Sequence, residues 1–321
     1  MKKAFIYLFV LATTISAATA QSNAPHYAGV DEFVAKLGPL NNFNVATIAD
    51  TITRHFSDKE DKARAIFYWI ANNIALDPKA IKQADQKKTL PEEVVQSRKS
   101  TSLGFSLLVQ EMCSLANIRC LSVDGYVKNS TEDINEKPDE INHSWNVVQL
   151  GQSPEQWYYV DACKGSGYLD KKMAVYTKYF TSDYFFADKT LFNLDHYPDN
   201  SAWQLGAGPK STKEFYALPV FFNAAHEYGL AKPKPITGYI KTLNTTAVSF
   251  SFPFNGIDIA AVELVIGDAR KMKKPEPMNF TTSGGTISFS YLFKTADTYP
   301  ITVMVDGKPL IAYTVEVTEK N

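Results

Sequence analysis

The sequence predicts an α+β domain followed by a β-sandwich domain, and three observations carry that prediction. From Gln21 to about Leu90 apolar residues recur at helical spacing. A strongly apolar helix follows Ser102, after which the texture changes to alternating strands; helices followed by an antiparallel sheet, without alternation of the two, mark the α+β class. Beyond a Pro-punctuated linker, LAKPKPITG, the chain is β-rich to its end.

The chain opens MKKAFIYLFVLATTISAATAQ: two lysines, an apolar run from Ala4 to Ala12, then small residues ending Ala18-Thr19-Ala20. That pattern reads as a secretory signal over 1–20, with the mature chain starting near Gln21. No Cys follows the cleavage site, which argues against a lipid anchor, and no other stretch is apolar for the ~18 residues a membrane span requires. An exported protein is expected, periplasmic or extracellular and not integral to a membrane.

In the helical region Val45, Ile48, Ala49 and Ile52 fall on one face. Asp58 and Asp61 introduce KARAIFYWIANNIALD, in which Ala63, Ile66, Phe67, Ile70 and Ile74 form a stripe, with Pro78 as the expected end. The next helix is LGFSLLVQEMCSLAN, with Ser102 just before it in N-cap position. Strands are expected at RCLSVDGYV, HSWNVVQL and QWYYVDA, separated by polar turns. TKEFYALPVFFNAAHEYG reads as a short helical linker. TAVSFSFPF, IAAVELVIG, TISFSYLF, YPITVMVDG and LIAYTVEV then read as strands of an immunoglobulin-like β-sandwich, parted by Asn-Gly, Gly-Gly and Asp-Gly turns.

With 33 basic and 34 acidic residues, a formal net charge of −1 and no basic run, the chain lacks the electrostatic footprint of a nucleic-acid binder. No Gly-x-Gly-x-x-Gly or Walker pattern is present, so no nucleotide cofactor is expected. His26, His55, His196 and His226 show no zinc-motif spacing, and Asp195-His196 near Asp199 reads as a loop cluster; no metal is expected. Trp145, Trp157, Tyr158 and Tyr159 read either as a carbohydrate platform or as sheet residues packing on the central helix. Cys113, Cys120 and Cys163 are too few for a disulfide scaffold; one bridge, Cys113 to Cys120 or Cys120 to Cys163, and three buried free thiols both stand as readings.

One constellation could carry chemistry. A nucleophile at a helix N-terminus gains from the helix dipole and from free backbone N–H groups that can receive an oxyanion. A histidine on a neighbouring strand can act as base, and an acid on the next strand can orient it. Ser102, His143 and Asp161 take those places in that order, with Tyr159, Asp161 and Cys163 expected on one strand face.

These residues, together with Arg98, Ser102-Leu103-Gly104-Phe105, Gly125-Tyr126-Val127-Lys128, Asn142-His143-Ser144-Trp145-Asn146, Trp157 to Ala162 and the HYPDNSAWQL segment, resemble the transglutaminase-like superfamily and, within it, the group similar to the kyphoscoliosis peptidase. The resemblance covers about Asp58 to Leu205 and implies a papain-like core that uses Cys, His and Asp for acyl transfer on amides. His143 and Asp161 match the base and the orienting acid. Ser102 stands where the family carries its thiol, and Lys164 and Leu103 also depart from the pattern. A hydroxyl has no resting anion comparable to a thiolate, whose reference pKa of ~8.5 a helix N-terminus lowers further.

The expected organisation is a transglutaminase-like domain over 21–208, a helical linker over 209–235 and the sandwich over 236–321. The expected function is that of a catalytically impaired pseudoenzyme binding a peptide, protein or cell-wall ligand in the remnant cleft. The alternative is an active peptidase, deamidase or transglutaminase using a Ser102-His143-Asp161 triad.

Overall fold

The computed structural model describes residues 26–153, 156–170, 172–230, 232–254, 258–267 and 274–320, so the expected signal segment lies outside the described residues. The first layer is helical: α1 (Ala28–Leu37), α2 (Val45–Thr53) and α3 (Lys59–Asn73). Asp58 caps α3 by accepting from the Glu60 N–H at 2.6 Å, and Glu60 and Asp61 meet the positive end of its dipole. The stripe of Ala63, Ile66, Phe67, Ile70 and Ile74 is buried as expected. Arg64 is buried too; its guanidinium pairs with Asp31 at 2.8 and 2.6 Å and lies among the rings of Tyr27, Phe67 and Phe185.

The helix ends at Asn73, before Pro78. Ala75–Leu76 (β1) pairs in parallel with Lys99–Ser100 (β2), and Pro78 opens α4 (Pro78–Gln83) behind an Asp77 cap. Proline suits a first helical position because the N–H it lacks would have had no intrahelical acceptor. After a 3₁₀ turn at Gln86–Thr89 come α5 (Pro91–Ser97), β2 and α6 (Ser102–Leu115).

The chain then builds a sheet against α6. Its strands are β3 (Arg119–Val127), β4 (His143–Gln149) and β5 (Trp157–Val160), followed by α7 (Ala162–Ser166), a hairpin of β6 (Gly167–Leu169) and β7 (Tyr176–Lys178), α8 (Lys189–Asp195) and β8 (His196–Pro198). The sheet order is β5-β4-β3-β8, antiparallel throughout. Ser106 fastens α6 to it, its hydroxyl meeting the Trp145 carbonyl at 2.8 Å while the Asn146 amide donates to the Ser106 carbonyl at 3.0 Å. Trp145, Trp157 and Tyr159 are buried, which is the packing reading of those aromatics.

One expectation changes in the second half. The stretch read as one helical linker is α9 (Thr212–Ala217), β9 (Val220–Phe221) and α10 (Asn223–Glu227), because Pro219 forces Leu218 into extended backbone and breaks the helix. The sandwich comprises β10 (Tyr239–Leu243), β11 (Val248–Pro253), β12 (Val262–Ile266), β13 (Glu276–Pro277), β14 (Thr281–Ser283), β15 (Thr286–Tyr291), β16 (Asp297–Val305) and β17 (Lys308–Thr318). One sheet runs β10-β17-β16-β12-β13, with β10 parallel to β17 and β9 also paired to β17; the other runs β11-β15-β14. Phe250 and Phe289 of the smaller sheet bury against Leu264, Val303 and Tyr313 of the larger, with the Phe250 and Tyr313 rings 5.6 Å apart. Leu191 and Leu194 of α8 belong to this second core, whereas Phe192 points into the first.

Candidate functional site

The topology brings Ser102 and His143 to one end of the sheet. α6 runs in the direction of β4, since its C-terminal end leads directly into Arg119, which pairs with Gln149 at the far end of β4. From the Ser106–Trp145 hydrogen bond, four residues back along the helix is ~6 Å and two back along the strand is ~7 Å. Those steps arrive at Ser102 and His143.

Ser102 is the first residue of α6, and Thr101, not Ser102, holds the N-cap position. Neither makes a side-chain cap, so the N–H groups of Ser102, Leu103 and Gly104 keep no intrahelical acceptor, whereas that of Phe105 bonds the Thr101 carbonyl at 3.1 Å. Unpaired N–H groups of this kind can receive a developing oxyanion. Gly104 is required for the approach: a Cβ there would meet the Lys88 carbonyl at 2.7 Å and the Ser100 hydroxyl.

His143 opens β4, and Asn142 fixes its entry, exchanging 2.9 Å hydrogen bonds with both the N–H and the carbonyl of Val127. The expected shared strand face of Tyr159, Asp161 and Cys163 is not formed. β5 ends at Val160; Asp161 N-caps α7, its Oδ1 accepting from the Lys164 N–H at 2.8 Å, and Cys163 lies inside that helix. Asp161 nonetheless reaches His143, with Oδ2 2.6 Å from Nε2. Nδ1 is the ring nitrogen left over from that bond.

A second histidine shares the same carboxylate oxygen. His196, expected in a loop cluster, opens the buried strand β8, and its Nε2 lies 3.0 Å from Asp161 Oδ2. Its Nδ1 lies 2.5 Å from Asp195 Oδ1, and Asp195 Oδ2 in turn accepts from His226 Nε2 and the Tyr184 hydroxyl, each at 3.0 Å. Sequence spacing gave no sign of this extension; the one signal was the HYPD segment within the family resemblance.

Burial disfavours the imidazolium of His143 more than Asp161 favours it, and holds the group below the usual histidine range. Burial acts to raise the Asp161 and Asp195 carboxyls, but the adjoining histidines outweigh it and keep both well below the usual carboxylate range. At His196 burial opposes the charge, yet Asp195 and Asp161 raise it above the ordinary value. His143, Asp161 and His196 are also the one group of three or more potential metal ligands among the described residues, their ligand atoms lying within 4.8 Å of one another. The 2.6 and 3.0 Å separations are those of hydrogen bonds, and a transition ion at ~2.0–2.2 Å from each would have to displace the protons between them.

All three cysteines are free and buried, which settles the disulfide alternatives in favour of free thiols here. Burial pushes the Cys120 and Cys163 thiols well up, away from thiolate. Cys113 lies near the other end of α6, eleven residues from Ser102 and ~16 Å along the axis.

Residues 46–162 match the family core described as "Transglutaminase-like superfamily". The chain is 30% identical over 201 residues to mouse "Kyphoscoliosis peptidase" and 31% identical over 205 residues to the human protein of that name, in each case over 62% of this chain and 30% of the relative. It is 25% identical over 187 residues to "Hillarin" of Drosophila melanogaster, covering 53% of this chain and 22% of that protein. The chain thus spans less than a third of the length of these relatives. The helix-and-sheet domain built around α6 and β4 is a member of the transglutaminase-like superfamily.

Proposed function

We propose that this chain is an exported, catalytically impaired member of the superfamily, which binds a peptide or cell-envelope ligand in the cleft at the N-terminus of α6 and does not turn it over by thiol chemistry. The observation that carries the reading is the placement of sulfur. The helix start bears the Ser102 hydroxyl, and the three thiols of the chain are buried elsewhere. A base and an acid without an activated nucleophile retain the shape of an acyl-transfer site but lack its attacking anion. Ammonia release, amine incorporation and peptide cleavage on a glutamine-peptide pool, compared for the parent, Ser102→Ala and Ser102→Cys, provide the test. The parent and Ser102→Ala should be equally inert; parent activity abolished by Ser102→Ala would overturn the reading.

One observation favours a second reading, that of a serine acyl transferase using Ser102, His143 and Asp161. A serine needs a neutral base to take its proton during attack, and the environment of His143 holds it neutral. Under this reading a serine-directed phosphonate labels Ser102, and His143→Ala abolishes the label. An unlabelled parent after prolonged exposure rules it out.

A further inference from the structure

We propose that His196 is a positioning residue of the site, a buried imidazolium held between Asp161 and Asp195 that fixes the Asp161 carboxylate and keeps His143 neutral with Nδ1 toward the N-terminus of α6. The inference rests on reading Ser102, His143 and Asp161 as an acyl-transfer site or its remnant.

A neutral imidazole carries one N–H and one lone pair, and both nitrogens of His196 face carboxylate oxygens, at 3.0 and 2.5 Å. A lone pair cannot face an ionised carboxylate at that distance, so either His196 carries both protons or one aspartate carries one. The other donors decide. Asp161 also receives the Lys164 N–H and His143, and Asp195 also receives His226 and the Tyr184 hydroxyl; each such bond favours the ionised carboxylate. The second proton therefore belongs to His196.

The stacked neighbour agrees with a cation: Phe192 lies on His196 with centroids 3.8 Å apart and planes within 11°, while Trp145 makes a T-shaped contact with it at 5.2 Å. The titratable groups facing this position are Asp161 at the N-cap of α7, Asp195 on α8, His143 on β4, His226 on α10 and Tyr184, and Asp195 also acts electrostatically on Lys128.

Two consequences follow for the site. Asp161 Oδ2 serves two histidines, so only part of its charge is available to support an imidazolium at His143, and the His196 cation lies 5.4 Å from that ring, centroid to centroid. A thiolate–imidazolium pair needs a charged His143, so the arrangement disfavours it. The chain of bonds also leaves the sheet: through Asp195 it reaches His226 on α10, which packs against β17 of the sandwich.

The test reads protonation, not turnover. Ring-nitrogen resonances of 15N-histidine-labelled full chain are followed from pH 6 to 9 and assigned with His26→Gln and His55→Gln, both exposed, and with His226→Gln and His196→Gln. One buried histidine should keep both nitrogens protonated across that range and disappear in His196→Gln, while His143 shows a single proton, on Nε2. In a Ser102→Cys background, adding His196→Gln should shift the pH profile of thiol alkylation to lower pH by at least about one unit, the direction expected when a cation beside the base is removed. A His196 ring with one proton at neutral pH, or a doubly protonated His143, overturns the inference. His143→Gln assigns the remaining ring, so the spectra decide it even if His196→Gln fails to fold. Failure of the acyl-transfer reading leaves these protonation states in place, so the two failures are distinguishable.

Discussion

Gly125 pairs with His143 on one side and with Pro198 on the other, so it holds the two histidine-bearing strands at their closest approach. A Cβ there would lie 2.6 Å from the Trp145 ring and 2.9 Å from the Pro198 Cα, and would meet the Tyr197 carbonyl. Gly125→Ala should therefore cost ~1–3 kcal/mol in urea denaturation and push β8, with His196, away from Asp161. Lys128, three residues on, is buried with its ammonium 2.8 Å from the Phe215 carbonyl and 3.5 Å from the Phe215 ring centroid. Burial pushes its pKa down to about 7 despite Asp195 and Asp133. The unfolded chain then binds the extra proton between pH ~7 and ~10.4, so this residue makes the fold more stable as pH rises through that window, by up to ~1.4 kcal/mol per unit. Urea melts of the parent minus those of Lys128→Met should show that slope; a flat difference would mean that the ammonium keeps its ordinary basicity. Ser102, His143 and Asp161 could be picked from the sequence as a candidate site because each lies inside a compact run of distinctive neighbours, and the structure joins the last two by a hydrogen bond. His196, Asp195 and His226 could not, since the bonds joining them to the site span 35 and 31 residues and leave no local spacing to read.

At the scale of elements, helices and strands with strong periodicity stood where the pattern put them: the α3 stripe, β3 over Arg119–Val127 and β4 from His143. The misreadings fall where a single residue changes role. Pro78 opens a helix instead of closing one, Asp161 leaves its strand to cap a helix, and Pro219 splits a segment whose apolar pattern alone reads as continuous. The β8 segment is three residues long and ends in proline, too short for alternation to register. Asn142 shows how an element boundary can be held by a side chain, since its amide continues the β3–β4 ladder one step past the last backbone pair. Asn142→Ala leaves the buried Val127 N–H without its acceptor and should cost ~1–3 kcal/mol, measured by thermal or urea unfolding. Asn142→Asp keeps the acceptor but turns a carboxylate oxygen toward the Val127 carbonyl in place of the donor, and should not recover the lost stability.

Across the whole molecule, two hydrophobic cores meet at α8, which sends Phe192 into one and Leu191 and Leu194 into the other while carrying Asp195 between them. The sandwich also receives β9 on β17, and the Thr314 hydroxyl reaches the Thr131 carbonyl at 3.4 Å. A chain truncated at residue 235 would expose Leu191, Leu194 and Phe221 to water, each worth roughly 1.5–3 kcal/mol of lost burial. It should populate a loosened state with weakened near-ultraviolet dichroism and faster proteolysis near α8; native-like protection of that helix would refute the coupling. The fold class was legible from the segregation of helices and strands, but the joint between the two halves was not, because it is made by a short helix and a two-residue strand.

The enclosure of His196 by aromatic rings also gives the molecule an optical property. Trp145 makes a T-shaped contact with His196 and stacks near His143, with centroids 6.3 Å apart in the second case, so this indole adjoins both imidazoles. A protonated imidazole quenches indole emission by accepting an electron from its excited state, and a neutral one does so far less. The emission of Trp145 should therefore be dim at neutral pH and brighten once His196 loses its charge, giving the chain an intrinsic fluorescent readout of its own buried proton.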